Sequence, residues 1–394
     1  MASPRTLKVE VQITKVVLIL TLIIMVVLPG CTSYEGDGIT TDFERMLGYV
    51  PVSALDEFDI WYIDQARVKQ LYGLEDITSI EQVIISSEER LEPVLGLGWT
   101  VSSGWPSWRR YKLTSLIGFD TMLIDRFILT EGVPQHGFSI MEADFDEELI
   151  TGLLTDRGYT ETGYDSYSYY GIREDYDFEL RDPLSQLVLA DMNRMAVLDN
   201  RVILAPATYY VTDIFDVMSG TAASIMDTPA SRALTDSLGN AINAFITIPE
   251  RVLLDWHEES VPTYYFDIPA DWDLLHEYEM VALGYRVEDE QQYWDIALYY
   301  TDADDAEADG EELVKRMKSY LFRTWHPELD FFPLTDFFEV GEPQVQEYGD
   351  GVVLKISSRH IPESIVGGSY AMGSIGRPRD ALYLAPDPSL YVAE

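Results

Sequence analysis

One cysteine, Cys31, occurs in 394 residues. An intramolecular disulfide is therefore excluded, and the fold must stand on its core alone. Lysine is scarce too, with seven lysines and twenty arginines set against thirty-six aspartates and thirty-two glutamates. The resulting formal charge of −41 opposes binding to nucleic-acid phosphates or anionic lipid headgroups. Common reaction signatures are missing as well. There is no GxSxG, SxxK or HExxH, and the glycine-rich stretch Gly367–Gly376 lacks the spacing of a phosphate-binding loop. No cofactor is expected from any motif.

What is present begins at the N-terminus. Arg5, Lys8 and Lys15 precede an almost wholly apolar run, Val16–Leu28, which ends in Leu28-Pro29-Gly30-Cys31. A positive region, a short apolar core and a small residue before a cut site describe a secretory signal. The core is shorter than the roughly 20 residues that a spanning helix needs. Leu-x-Gly-Cys at the end of such a segment resembles the lipobox of prokaryotic lipoproteins. The resemblance implies cleavage before Cys31, lipidation of its thiol and a body held at a membrane outside the cytoplasm. An uncleaved N-terminal anchor is the alternative, and both readings give the same address.

The chain then divides into a signal at 1–30, a small polar tether at 31–42, an α+β domain at 43–257, a smaller α+β domain at 261–360 and a Gly/Pro-rich region at 361–394. At 47% hydrophobic residues, the body has enough apolar material for packed domains. Phe58–Ile63 reads as a strand. Phe145, Leu149, Ile150, Leu153 and Leu154 share one face of a helix that stops at Arg157-Gly158. Alternating tyrosines (Tyr164, Tyr167, Tyr169, Tyr170) predict one hairpin, and Met195–Leu198 with Val202–Leu204 predict another, turned at Asp199-Asn200. Val211, Ile214, Phe215 and Met218 mark a second amphipathic helix. Met280–Val287, Tyr293–Tyr300 and Val352–Ile356 read as strands flanking a helix around Leu313, Val314 and Met317. The fold class expected is α+β: two domains of mainly antiparallel sheet, each with helices packed on one face.

The stretch from Phe145 to Ile172, with Met195–Phe215, resembles a group of bacterial envelope lipoproteins of unknown function. It implies an α+β envelope lipoprotein and carries no activity with it.

Three features have ligand-binding chemistry. Trp99, Trp105 and Trp108 lie close together in a Gly/Ser/Pro-rich run followed by Arg109 and Arg110, residue types suited to stacking on a ring and holding an acidic group. Trp256-His257-Glu258-Glu259 and Trp325-His326-Pro327-Glu328 each present a histidine and a glutamate two residues apart. If the two segments met, His257, Glu259, His326 and Glu328 would offer a His₂Glu₂ site for zinc or a similar metal. Asp305, Glu307 and Asp309 have the opening spacing of a calcium loop, but Arg316 stands where the last carboxylate belongs. Asp309 with Glu312 as a helix capping box is the competing reading. The expected function is a tethered, non-catalytic binding role toward a solute, an envelope component or a partner protein, with no nucleic acid involved. A metal-assisted hydrolase and a structural spacer are the alternatives.

Overall fold

The computed structural model describes residues 41–79, 82, 113–132, 136–185, 190–249, 275–289, 291–319, 321–322, 332–336 and 338–361. Helix α1 (Asp42–Leu47) and the single turn α2 (Ala54–Glu57) lead into β1 (Asp59–Asp64) and α3 (Gln65–Tyr72). After α4 (Leu113–Ile117) come β2 (Arg126–Glu131), β3 (His136–Glu142) and α5 (Glu147–Asp156). Four short strands follow: β4 (Thr160–Tyr164), β5 (Tyr167–Gly171), β6 (Arg194–Leu198) and β7 (Arg201–Ala205). Next are α6 (Thr208–Met218), α7 (Pro229–Leu238) and β8 (Asn243–Thr247). The chain continues with β9 (Met280–Glu288), β10 (Gln291–Tyr300), α8 (Ala303–Ser319), the two-residue β11 (Leu321–Phe322) and β12 (Phe332–Pro333), β13 (Phe338–Val340), β14 (Gln344–Tyr348) and β15 (Gly351–His360).

All strands but β11 and β12 join one antiparallel sheet, in the order β13-β15-β10-β9-β8-β1-β2-β3-β7-β6-β5-β4, with β14 also on β15. The α+β class is as expected. The division into two sheets is not. β8 pairs with β9, Asn243 opposite Tyr285 and Thr247 opposite Val281, so the ladder runs unbroken from the first sequence block into the second.

The helices also differ from expectation, since they cover both faces instead of one. Side chains alternate along β1, and all six of its residues are buried. Ile60 and Tyr62 enter a core with α1, α2, α6 and α7. Trp61 and Ile63 point to the other side, where α8 packs over the β9, β10 and β15 region and α4 with α5 over the β3, β6 and β7 region. A central strand buried twice needs cover on both sides, which is why Met280–Tyr285 and Asp295–Tyr300 are buried without alternation.

Local signals explain most of the boundaries. Thr41 and Glu44 form a capping box that starts α1, so this helix begins inside the stretch assigned to the tether. The β6–β7 turn puts Asp199 at φ 40 and the β4–β5 turn puts Asp165 at φ 49, positions that short polar side chains tolerate. Helix α8 runs unbroken through Asp304–Asp309, so this stretch is no calcium loop. Asp309 does not cap it either. Asp302 accepts the Asp304 N–H at 2.8 Å in that role, and Asp309 faces inward.

Candidate functional site

A small polar–aromatic hollow lies where α2 and β1 meet the start of α6. It has a volume of about 90 Å³ and is lined by Phe58, Phe138, Tyr209 and Tyr210 together with Glu57 and Asp213. The rings stand at angles to one another: Phe58 to Tyr210 at 5.4 Å and 65°, and Phe138 to Tyr210 at 6.0 Å and 50°. Phe58 and Tyr210 are buried, and Tyr209 is 41% exposed at the rim.

A chain of hydroxyls backs this hollow. Tyr176 sits against Tyr209 through a close hydroxyl contact and donates to Tyr210 at 3.0 Å. Tyr210 in turn donates to Glu57 Oε2 at 3.1 Å. Burial, and then the Tyr176 hydroxyl, pushes Tyr209 up to about 12, while burial raises Tyr210 above the usual phenol range. Both tyrosines therefore stay neutral donors. Asp213 is pushed above the usual carboxylate range, first by burial and then by the negative charges of Asp216 and Glu57.

The loop before β6 aims Tyr176. Its backbone lies at φ 62, a left-handed conformation that bulky residues avoid. The conformation is held from several sides. The Tyr176 N–H donates to the Pro206 carbonyl at 2.9 Å, and the buried Asn193 amide donates to the Glu174 and Asp177 carbonyls at 3.1 and 2.6 Å. Asp175 accepts from the Thr208 N–H and hydroxyl at 2.9 and 2.8 Å, capping α6 where Ala207 has nothing to offer.

A larger and more open groove, of about 700 Å³, lies at the β13–β15 end of the sheet. Gln291, Lys318, Thr335, Glu339, Arg359 and His360 supply its polar groups, with Phe338 among the apolar ones. Arg359 pairs with Glu339, and among the described residues Lys318 has no ion-pair partner. The groove thus carries a net positive wall on a very acidic chain. Burial lowers the His360 pKa and keeps the ring neutral, edge-on to Phe338.

A third polar cluster joins His276 to α8. His276 Nδ1 lies 2.8 Å from Asp309 Oδ1, a geometry used elsewhere to orient a catalytic imidazole. Here Nε2 faces Asp305 at 3.6 Å, and no serine or threonine hydroxyl among the described residues bonds to the ring. The pair fastens the chain to α8. Among the described residues, no group of three or more His, Cys, Asp or Glu could hold a metal ion.

Cys31, Trp99, Trp105, Trp108, Arg109, His257, Glu259, His326 and Glu328 all lie outside the described residues. The groups that do line hollows carry no motif in the sequence. Tyr209-Tyr210 directly precedes the helix expected around Val211, Ile214, Phe215 and Met218, but its partners Glu57, Phe58 and Tyr176 come from distant segments. Lys318 is one of seven lysines, which was the one available signal for the groove.

No family model and no curated protein matches the chain. Among solved structures it is similar to crystal forms III, I and IV of TP0453, with TM-scores of 0.34, 0.36 and 0.35 and identities of 9, 8 and 8%. The alignments cover 82, 88 and 82% of this chain and 97, 99 and 95% of that one. A likeness this distant carries no argument about activity or ligand.

Proposed function

We propose that this protein is a lipid-anchored binding protein of the cell envelope, held outside the cytoplasm through Cys31 and acting without catalysis. The observation that carries the binding role is the open groove of about 700 Å³ at the β13–β15 end. That volume falls in the range of small-molecule sites. Its polar groups are donors for the most part: Lys318, Arg359, Gln291 and Thr335. A polar solute or envelope component carrying a negative group is the matching ligand, because Lys318 and Arg359 offer cationic donors there, against the long-range repulsion of the acidic chain. Among the described residues no helix is long and apolar enough to cross a membrane, so the proposed anchorage rests on the lipobox-like Leu28–Cys31 sequence.

Membrane fractionation of the full chain in its native host tests the anchorage, and native mass spectrometry of the chain purified without chelator tests the binding role. Cys31→Ser should remove the lipid and leave a precursor or a released body. Lipidated mature protein from that variant would overturn the anchor. An organic anion released on denaturation from the parent, and absent from a Lys318→Glu/Arg359→Glu double variant, is the expected result for the groove. The same adduct on both chains, or none on the parent, would remove the groove as the binding site.

A further inference from the structure

The hollow at the start of α6 presents a different chemistry from the groove. Its walls are aromatic, its polar groups are carboxylates, and its tyrosine hydroxyls are already committed to one another and to Glu57. Among the described residues neither Glu57 nor Asp213 has a cationic partner within ion-pair distance. Glu57 is exposed and Asp213 half-buried, so both carboxylates are reachable from solvent, and a cation seated at the hollow would relieve their mutual repulsion. Aromatic faces strengthen that preference, because the ring quadrupole attracts a cation that has shed part of its water. We propose that the hollow between Phe58, Phe138, Tyr209 and Tyr210 binds an alkylammonium group.

Shape and chemistry select this class over a bare metal ion. A hard divalent cation needs six or more oxygens around it, and this hollow offers two carboxylates among four rings. About 90 Å³ accommodates a charged nitrogen with a few carbons and little more. Phe58 and Phe138 lie against the apolar side of such a group. Tyr209 covers it from the rim, and Glu57 and Asp213 supply the charge.

The strained Tyr176 fits the same account. The left-handed region is unfavourable for a bulky residue, and here that conformation places a hydroxyl between Tyr209 and Tyr210. The interaction orients both rings and directs the donor chain toward Glu57. Tyr210 bonds to Glu57 Oε2, and among the described residues no hydrogen bond takes the other oxygen, which is the one the ligand would use. The ammonium can arrive as a free amine or as part of a lipid headgroup, and the hollow reads only the charged nitrogen and its carbons.

Titration of the full chain, in a maltoside detergent without charged groups, separates these sources. Tetramethylammonium chloride should change the intrinsic fluorescence saturably, where sodium chloride at the same ionic strength does not. Asp213→Asn, which preserves shape, should weaken the affinity at least tenfold, as should Tyr209→Ala at the exposed rim. Circular dichroism checks that both variants fold. A short-chain phosphocholine binding more tightly than tetramethylammonium identifies a lipid headgroup as the source. Failure of phosphocholine to compete identifies a free amine. Equal responses to tetramethylammonium and sodium, or wild-type affinity in both folded variants, would overturn the assignment.

Discussion

His276 and Asp309 meet twice: the carboxylate takes the His276 ring nitrogen on one oxygen and the His276 backbone N–H on the other, each at 2.8 Å. Tyr300 donates to that second oxygen as well, also at 2.8 Å. Asp309 is buried and His276 is half exposed, so the contact links a solvent-facing ring to a fixed anion.

That contact makes stability depend on pH. The hydrogen bond to Asp309 raises the His276 pKa, burial opposes it, and the charges of Asp309, Asp305 and Asp302 add to the rise. A group whose folded pKa is raised contributes its full stabilisation below the unfolded value, about 6.5 for histidine. That contribution is lost as pH rises through the folded pKa. Thermal melts of the parent and His276→Gln at several pH values should show the widest gap at about pH 5.5 and a narrower one at about pH 8.5. A gap that is constant or widens with pH would show that the imidazolium–Asp309 contact contributes nothing.

Glu142 is the second buried carboxylate on which distant segments converge. It accepts from Arg45 on both oxygens, the Oε2 contact at 2.7 Å, and from Arg201 Nε at 3.2 Å, with Arg126 at 4.0 Å. Asp42 and Asp64 complete the network through Arg126, at 2.8 and 3.5 Å. The cluster ties α1 to β2, β3 and β7. Removing the central charge leaves Arg201 without a carboxylate while Arg45 and Arg126 keep Asp42, so Glu142→Ala should cost about 3 kcal/mol, the lower end for a broken buried pair. Glu142→Gln retains an acceptor and should lose about half of that. Urea denaturation is the suitable measurement, because guanidinium would screen the ion pairs. A Glu142→Ala chain as stable as the parent would reduce the network to ornament.

The sequence showed the local elements well where a turn and a period coincide. Asp199-Asn200 between two apolar strands, and Tyr348–Gly351 before β15, each give a hairpin signal that needs nothing from the rest of the chain. Helix α7 is missing from the sequence expectations although Thr228, Pro229 and an amphipathic face of Ala230, Ser231, Ala233, Leu234, Thr235 and Leu238 mark its start and its buried side. Small side chains let the helix sit close to β9. A Cβ added at Gly284 would come within 2.8 Å of Leu238, so that closeness is a property of the pair. Nothing in either segment alone shows it.

Strand order was illegible for a related reason. The boundary expected between the 43–257 and 261–360 blocks is a local sequence signal, whereas β8 and β9 are joined by backbone hydrogen bonds that such a signal does not encode. The candidate hollow suffered likewise, since Glu57, Tyr176 and Tyr210 meet through three separate segments. Acidic and aromatic residues are abundant in this chain. Without register, none of these three stands out.

Helix α5 offers a direct comparison of pattern with burial. Leu149 and Leu154 both fall on the apolar arc expected from the sequence, yet Leu154 is fully buried and Leu149 is 48% exposed. The arc is wider than the surface that receives it. Ile150 and Leu154 enter the core with Ile117, Phe119 and Phe145, while Leu149 lies at its solvent edge. Leucine and alanine differ little in helix propensity, alanine being the slightly better former, so truncation at either position leaves the helix itself intact. Leu154→Ala should therefore cost about 2–5 kcal/mol through lost burial and the cavity left behind. Leu149→Ala should stay within about 0.5 kcal/mol of the parent. Equal losses at the two positions in urea would mean that α5 is rotated on the sheet relative to the arrangement described, with Leu149 in the core.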